Sequence, residues 1–316
     1  MARIVYIGAP EADADRFAAQ ARLDFPDIDL FASNDRAHAL EHLAHTEVLI
    51  GHHFHFDEQM LAGAPKLRWI QSLTSGADAI LNLPSLRQDV LVTSTRGIHG
   101  PQMSELVFLH MLALTRDFVR ILSNQQAARW ERWPQPLLAG KTVVIVGVGS
   151  ISEALAARCR AFGMTVYGVS SSQHTVPGFD RIFSRPQLQQ AAALADYLIL
   201  LVPLSADTAN LVDASVLRAM KSTAYLINVA RGGVLDEQAL LAAVRAQRLA
   251  GASLDVFRQT PLPATHPLWH QDRILITPHL GGMSDVYLQQ CYSIVRANLQ
   301  NFLAGRTDEM LNVVAH

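Results

Sequence analysis

Arg231 and His279 stand at similar places in the sequence and could act together on an organic acid. Arg231 follows the apolar run "YLINVA" and precedes two glycines, while His279 follows "ILITP" and is soon followed by two more. An arginine binds a carboxylate through two parallel hydrogen bonds, and a histidine can donate a proton near neutral pH. The alternative for Arg231, a surface ion pair, is disfavoured by the apolar run before it.

Strands must position both residues, because short apolar runs alternate with helix-like stretches almost throughout the chain. Candidate strands include "RIVYIG", "EVLIG", "LRWIQSL", "VLVTST", "TVVIVGVG", "TVYGVS", "YLILLV", "AYLINVA", "GASLDVF" and "ILITP". Candidate helices are 35–45, 101–120, 151–162, 213–220, 236–248 and 284–303. This alternation predicts an α/β fold with parallel sheets covered by helices on both faces. Ligands of such folds bind at the carboxyl ends of strands, where Arg231 and His279 are expected.

The stretch 141–172 reads as strand, glycine-rich turn, helix and strand. Gly147 permits a tight turn, and Gly149 lets the backbone approach a pyrophosphate at the N-terminus of the helix. Ser152 replaces the third glycine of the usual pattern. The strand–turn–helix context favours a dinucleotide-binding unit over a structural turn without ligand.

The end of the second strand of that unit governs the choice of cofactor. A carboxylate there would bind the ribose hydroxyls and select NAD. The position is instead Ser170, within "SSS", and the nearest basic candidates are His174 and Arg181. The sequence therefore predicts that NADP(H) is preferred, with NAD(H) as the alternative.

Two further stretches carry polar groups. "WIQSLTSGADAIL" (69–81) is a strand leading into a turn of small residues, whose successive N–H groups at 74–77 would form an anion-binding nest. An ordinary turn is an equally good interpretation. "GHHFHF" (51–56) lacks cysteine or acidic ligands at metal spacing, so no metal site is expected there.

Composition limits the class of protein. The chain has 316 residues, which suggests about two domains. Its net charge of −2 gives no electrostatic basis for binding nucleic acid or an anionic membrane. Cys159 and Cys291 are too few for a disulfide framework, and "YLILLVPL" is too short to span a bilayer. We expect a soluble cytoplasmic protein, since the start "MARIVYIGAP" reads as a strand and turn rather than a signal peptide.

Several motifs together resemble the D-isomer-specific 2-hydroxyacid dehydrogenase family. They are "RGIHGPQMSE", "VGVGSIS", "LVPLSADTANLVD", "INVARGGVLDEQAL", "LDVFRQTPLPATHPLW" and "TPHLGG", in that order. The resemblance spans the chain and is densest from Arg96 to Gly282. The segment "PLPATHPLW" and the non-acidic "SSS" resemble the glyoxylate/hydroxypyruvate reductase branch.

The resemblance implies two Rossmann-like domains with parallel sheets, one flavodoxin-like and one dinucleotide-binding. Residues 1–97 with 285–316 would form the substrate (catalytic) domain, and 98–284 the inserted cofactor domain. The substrate would lie between them, and domain closure would exclude water. The family is usually dimeric through the cofactor domain, so a homodimer is expected.

The same resemblance implies hydride transfer from NAD(P)H to a small 2-keto acid, which gives the D-2-hydroxy acid. Arg231 would bind the carboxylate and keto oxygen of the substrate, and His279 would donate the proton. The substrate carboxylate would be held by the turn of Leu73, Thr74, Ser75 and Gly76. Implied cofactor contacts are Met103, Gly147, Gly149, Ser150, Ile151, Ser170, Ser171, Val202, Pro203, Val229, Ala230, Arg231, Asp255, His279 and Gly281.

Thr260 departs from the family pattern, in which a glutamate at this place hydrogen-bonds the catalytic histidine. A carboxylate would orient the imidazole and stabilise its protonated form, and threonine can do only the first. Three interpretations follow. The enzyme is active with a less readily protonated His279; another carboxylate such as Glu105 or Asp285 replaces the acid; or the chain is a weak or inactive NAD(P)-binding module. The retention of Arg231 and His279 favours a working reductase.

Overall fold

The computed structural model describes residues 2–8, 13–172 and 175–315. They form two compact units, one of residues up to 98 and from 284 onward, the other His99–Met283. The domain limits expected from the sequence differ from this division by one residue at each crossing. What each unit does remains a proposal.

Strands and helices alternate along most of the described chain. The strands are β1 (Arg3–Ile7), β2 (Asp29–Ser33), β3 (Val48–Gly51), β4 (Trp69–Ser72), β5 (Leu91–Thr93), β6 (Thr142–Val146), β7 (Thr165–Ser170), β8 (Arg181–Ser184), β9 (Tyr197–Leu200), β10 (Tyr225–Asn228), β11 (Gly251–Leu254), β12 (Ile274–Ile276) and β13 (Val313–Ala315). The α-helices are α1 (Asp13–Asp24), α2 (Arg36–Leu40), α3 (Glu58–Gly63), α4 (Asp78–Leu81), α5 (Gly100–Thr115), α6 (Phe118–Gln126), α7 (Ser150–Ala161), α8 (Leu188–Leu194), α9 (Ala214–Ala219), α10 (Glu237–Arg245) and α11 (Tyr287–Leu303).

The first unit contains a six-stranded sheet in the order β13-β5-β4-β3-β1-β2. Neighbouring residues of β1 enter opposite cores, Ile4 and Tyr6 on one face and Val5 and Ile7 on the other. Such alternation follows from the two-residue period of a strand that is covered on both faces. β13 runs antiparallel to β5 at the edge of this otherwise parallel sheet.

The second unit contains a seven-stranded parallel sheet in the order β12-β11-β10-β9-β6-β7-β8. Two buried clusters cover its faces, one of them including Val144 and Val146 and the other Val143 and Ile145. The direction of strand order reverses at β6, which lies between β9 and β7. Ligands of open α/β sheets bind outside such a switch point, so the turn after β6 is the natural place for one.

The helix expected over 101–120 is in fact two helices, α5 and α6. Asp117 separates them in the left-handed conformation, with φ at 52°, and the N–H of Arg116 caps α5 by bonding to the carbonyl of Leu112. The stretch 35–45 is likewise divided into α2 and a short 3₁₀ turn at Leu43–His45. In both places the apolar pattern of the sequence continues although the helix is interrupted.

No helix in the described residues is both long enough and apolar enough to cross a membrane.

Candidate active site

The turn after β6 is built around Gly147. Its φ is +104°, and a Cβ there would lie 2.8 Å from the carbonyl carbon of Leu201. Both facts require glycine. On its other side a Cβ at Gly147 would meet Val202, which is buried, whereas Pro203 is exposed and its carbonyl accepts a hydrogen bond from Thr208. The segment after β9 therefore closes one side of the turn.

Gly149 opens onto free space in front of α7. A Cβ added to it would meet no atom within 4 Å. The N–H groups of Ser150 and Ile151, in the first turn of the helix, have no acceptor among the described residues. Free N–H groups and the helix dipole favour an anion at this place. The cradle thus fits the pyrophosphate of a dinucleotide.

Ser152 explains why the glycine motif tolerates a serine. Its hydroxyl accepts a hydrogen bond from the N–H of Gly149 and donates to the carbonyl of Gly149, both at 2.7 Å. Ser152 is 1% exposed, so a longer side chain would not fit. Serine at the third helical position thus bonds back to Gly149, the N-cap residue of α7.

Ser170 ends β7 and is nearly buried, with Ser171 exposed beyond it. Its hydroxyl accepts from the N–H of Ser172 at 3.3 Å. Arg181 is not beside it, because Arg181 pairs with Tyr167, three positions before Ser170 on the strand. That spacing corresponds to ~10 Å. The register therefore does not place the backbone of Arg181 beside Ser170, and its part at the ribose end stays a prediction. His174 lies outside the described residues.

Asn228 shapes the backbone that carries Arg231. It is fully buried at the end of β10, accepts from the N–H of Ala230 at 3.1 Å and donates to the carbonyl of Arg231 at 3.1 Å. The strand end at Val229 and Ala230 is buried, and Arg231 is half-buried. One guanidinium N–H group of Arg231 donates to the carbonyl of Ala230 at 2.8 Å, which leaves others for a ligand. The sequence carried a signal for Asn228, an amide that ends an apolar run.

Gly232 brings the loop of Thr260 against the turn of Arg231. A Cβ at Gly232 would lie 1.9 Å from the carbonyl carbon of Phe257, so only glycine allows this approach. The carboxylate of Glu237 fixes the same loop by accepting from the N–H of Arg258 at 2.7 Å. Thr260 itself is exposed, and its hydroxyl has no hydrogen bond among the described residues.

Asp255 organises the loop that carries His279. Its buried carboxylate accepts from the hydroxyl of Thr277 at 2.6 Å, the N–H of Leu280 at 2.8 Å and the N–H of Gly281 at 2.9 Å. Its backbone carbonyl accepts from the N–H of His279 at 3.0 Å. His279 has a φ of +58° and is exposed, so these bonds hold it in a conformation that L-residues rarely adopt.

Gly281 and Met103 pack directly beside Asp255. A Cβ at Gly281 would lie 2.7 Å from Met103 Sδ and 3.1 Å from Asp255 Oδ2. Glycine at 281 therefore lets its own N–H reach the carboxylate. The structure brings Met103, Asp255, His279 and Gly281 together in one cluster at the end of β11 and β12.

Two further histidines, His110 and His99, lie close to these residues, His110 beside Thr277 and His99 beside Gly282. His110 is fully buried, and its Nε2 lies 3.2 Å from the hydroxyl of Thr277. Because that hydroxyl donates to Asp255, His110 donates to Thr277 from a neutral ring. Burial lowers the pKa of His110 to about 4. Burial, and then the positive charge of Arg231, lower the pKa of His99 to about 4. For His110, its place inside the apolar helix α5 was the available signal in the sequence.

The acid expected near His279 is not replaced within the described part of its own unit. No carboxylate there lies within hydrogen-bond or ion-pair distance of the imidazole. Glu105 is exposed on α5 and makes no such contact, and Asp285 belongs to the other unit. The carboxylate of Asp255 instead accepts from the hydroxyl of Thr277 before the histidine and from the N–H groups of Leu280 and Gly281 after it.

The turn after β4 lies in the first unit. The hydroxyl of Thr74 donates to the carbonyl of Gly76 at 2.8 Å and lies 3.1 Å from Nδ1 of His53. The N–H of Thr74 donates to the hydroxyl of Ser72. The N–H groups of Ser75 and Gly76 have no acceptor among the described residues, so these two could face an anion.

Side chains of α11, the last helix, hydrogen-bond to the start of this turn at Leu73. Leu73 is buried, and its carbonyl accepts from the hydroxyl of Tyr287 and, at 3.8 Å, from the thiol of Cys291. Burial, above all, raises the pKa of Tyr287. Tyr287 therefore stays neutral and acts as a donor. Its place on α11 explains how the C-terminal segment contributes to the turn.

A glycine cradle at a sheet switch point, with an arginine and a histidine at nearby strand ends, is typical of a nucleotide-dependent oxidoreductase. Residues 108–281 match the family model described as "D-isomer specific 2-hydroxyacid dehydrogenase, NAD binding domain". The chain belongs to that family.

Three relatives illustrate the match. A glyoxylate reductase of Thermofilum pendens is 32% identical over 260 residues, covering 79% of this chain and 76% of that protein. A D-isomer specific 2-hydroxyacid dehydrogenase family protein from Aeromonas salmonicida has a TM-score of 0.91 and 32% identity, covering 99% of this chain and 98% of that one. An NADPH-dependent glyoxylate/hydroxypyruvate reductase from Sinorhizobium meliloti, in complex with NADP and sulfate, has a TM-score of 0.84 and 25% identity, covering 99% and 98%.

Proposed function

We propose that this protein is an NAD(P)H-dependent reductase of a small 2-keto acid, of the glyoxylate or hydroxypyruvate type, and that its product is the D-2-hydroxy acid. The observation that carries the proposal is that Arg231 and His279 follow strands at the same edge of one parallel sheet. They follow β10 and β12, which flank β11, and Asp255 at the end of β11 binds the loop of His279. The names of the relatives support the choice of substrate.

Arg231 supplies the positive charge of the reaction. Its guanidinium has unused N–H groups that bind the carboxylate and the keto oxygen of the substrate. A bound nicotinamide supplies the hydride for the keto carbon. As negative charge grows on the keto oxygen, Arg231 stabilises it and the imidazole of His279 donates a proton to it. The turn of Leu73, Thr74, Ser75 and Gly76 is proposed to hold the carboxylate through N–H groups.

NADP(H) is the preferred cofactor in this proposal, with NAD(H) as the alternative. The pyrophosphate is held at Gly149, Ser150 and Ile151, where the chain leaves space and free donors. Ser170 ends β7 at the position where a carboxylate, if it were present, would repel a 2′-phosphate. Met103, Val202 and Asp255 complete the proposed contacts, at the nicotinamide and adenosine ends.

We also propose a cytoplasmic homodimer formed through the second unit. Support comes from large apolar side chains that this unit exposes on α5, α6 and the segment after them, namely Leu109, Phe118, Val119, Leu122, Trp130 and Leu137. Several large apolar side chains exposed on neighbouring elements favour an interaction site there. Light scattering after size exclusion tests this, and a monomer at micromolar concentration would contradict it.

The decisive experiment follows NADPH oxidation with glyoxylate and hydroxypyruvate between about pH 5 and 8. We expect turnover with at least one of them, and its loss in Arg231→Gln and His279→Gln variants that still bind NADPH. Thr260 gives the second candidate, an NAD(P)-binding module without catalysis. If the wild type binds NADPH and no 2-keto acid supports oxidation at any pH in that range, the module is the right description.

A further inference from the structure

The edge strand β8 ends beside the residues proposed to meet the adenosine ribose. β7 and β8 are parallel, and Ser184, the last residue of β8, lies opposite Ser170, the last residue of β7. Paired strands are about 4.8 Å apart. Arg185, the next residue, therefore leaves the sheet at the same edge and level as Ser171.

Arg185 is half-buried and begins a short 3₁₀ turn, Arg185–Gln187, that packs against β7. The side chain of Gln187 accepts from the N–H and from the hydroxyl of Ser184, both at 3.1 Å, which fixes the turn. Among the described residues, no acceptor lies within hydrogen-bond or ion-pair distance of the guanidinium of Arg185. A partly desolvated arginine gains most from an anion, and the described chain does not provide one.

The other arginines of this region already have partners within the chain. Arg160 pairs with Asp180 at 2.6 Å, and Arg158 donates to the carbonyl of Ala154 at 3.0 Å. The guanidinium of Arg181 stacks on the ring of Phe183, 4.1 Å from its centroid, and the backbone of Arg181 pairs with Tyr167, three positions before Ser170. Arg185 is thus the arginine that the strand register places at the serine end.

We propose that Arg185 binds the 2′-phosphate of NADP(H) and so sets the cofactor preference, together with the hydroxyl groups that end β7. The inference rests on the proposed nicotinamide-dependent function and names the residue that the glycine motif alone does not identify. A guanidinium binds phosphate through two parallel hydrogen bonds, whereas the 2′-hydroxyl of NAD(H) carries no charge for it.

The test measures binding of NADP⁺ and NAD⁺ by calorimetry, without any keto acid. We expect Arg185→Gln to weaken NADP⁺ binding by about 10- to 100-fold and NAD⁺ binding by less than about 3-fold. Arg181→Gln is the matched control, an arginine from the other end of the same strand, and it should change neither affinity by more than about 3-fold. Arg185→Lys should recover part of the lost NADP⁺ affinity, because lysine restores the positive charge but not the paired N–H donors of a guanidinium.

A second pair of probes isolates the phosphate from the nicotinamide. Adenosine 2′,5′-bisphosphate should bind more tightly than AMP in the wild type, and Arg185→Gln should abolish that difference. The inference is overturned if Arg185→Gln weakens both dinucleotides equally or neither, or if the wild type shows no preference for the bisphosphate. Failure of the proposed function would look different, since binding would depend on Arg185 while no 2-keto acid was reduced.

Discussion

The hydroxyl of Thr277 donates a hydrogen bond of 2.6 Å to the buried carboxylate of Asp255. The same carboxylate accepts the N–H groups of Leu280 and Gly281, so it holds the chain on both sides of His279. The left-handed conformation of His279 thus has an identifiable cause. Asp255, which the family resemblance places at the nicotinamide, therefore also positions His279, the proposed proton donor.

Asp255→Asn should impair this loop, because one carboxylate oxygen becomes an NH₂ group that faces other donors. We expect kcat to fall by about 10- to 1000-fold and the free energy of unfolding by about 1–3 kcal/mol. Ser253→Ala is the control, since Ser253 is buried on the same strand and makes one hydrogen bond, to the carbonyl of Leu275. Steady-state kinetics measure the loss of kcat, and urea unfolding measures the loss of stability. An equal loss of kcat in Asp255→Asn and Ser253→Ala would contradict a specific role of Asp255 in positioning His279.

Gly281→Ala should disturb the same cluster by steric contact. The new methyl group would lie 2.7 Å from Met103 Sδ and 3.1 Å from Asp255 Oδ2, so the loop of His279 must shift. A displacement of about 1 Å costs on the order of 100-fold in rate. Gly282→Ala is the matched control, because its nearest neighbour, Cδ2 of His99, would be 3.6 Å away. Comparable kcat values for the two variants would contradict the steric argument.

The two glycines after β6 should respond to alanine in opposite ways. In Gly147→Ala the new methyl group would lie 2.8 Å from the carbonyl carbon of Leu201, and the backbone would keep a φ of +104°. We therefore expect the free energy of unfolding to fall by about 2 kcal/mol or more. Gly149→Ala has free space and extended backbone, so stability should change by less than about 1 kcal/mol while NADP⁺ affinity falls about 10-fold or more. Thermal unfolding and calorimetric titration separate these effects. Unchanged NADP⁺ affinity in Gly149→Ala would argue against a pyrophosphate in this cradle.

His110 should make the protein less stable in acid. Its pKa is about 4 in the folded chain, against an ordinary value of 6.5, because burial disfavours the charged ring. Unfolded chains therefore take up the proton first as pH falls, and stability is lost between about pH 6.5 and 4. At pH 5 the cost is on the order of 2 kcal/mol. We expect His110→Gln to lose less stability than the wild type between pH 7.5 and 5, whereas a variant of the exposed His38, His38→Gln, should match the wild type.

Thr260→Glu tests the missing carboxylate. Glu at this place should stabilise the protonated imidazole of His279, so the pH of half-maximal reduction rate should rise by about one unit. Thr260→Gln has nearly the same size without the charge and should leave the profile where it is. A wild-type profile that coincides with that of Thr260→Glu would mean that another group already provides the charge.

Much of the site could be expected from local sequence. The strand–turn–helix of 141–172 and the residues at strand ends, Arg231 and His279, follow from apolar runs ended by glycine, because those signals lie within a few neighbouring residues. The break at Asp117 was not visible, since the apolar pattern of 101–120 continues through it. The edge position of β13 also needed the sheet itself, because an antiparallel partner more than two hundred residues away leaves no local pattern.

The sequence by itself determined the family, the alternating α/β architecture and the identity of the groups that do chemistry. Only the tertiary structure decided which of them meet. It tied Asp255 to both sides of His279, placed His110 beside Thr277, and put Ser184, the residue before Arg185, opposite Ser170. These relationships depend on strand register and on burial, which bring together residues far apart in the chain, and no spacing along the sequence encodes them directly.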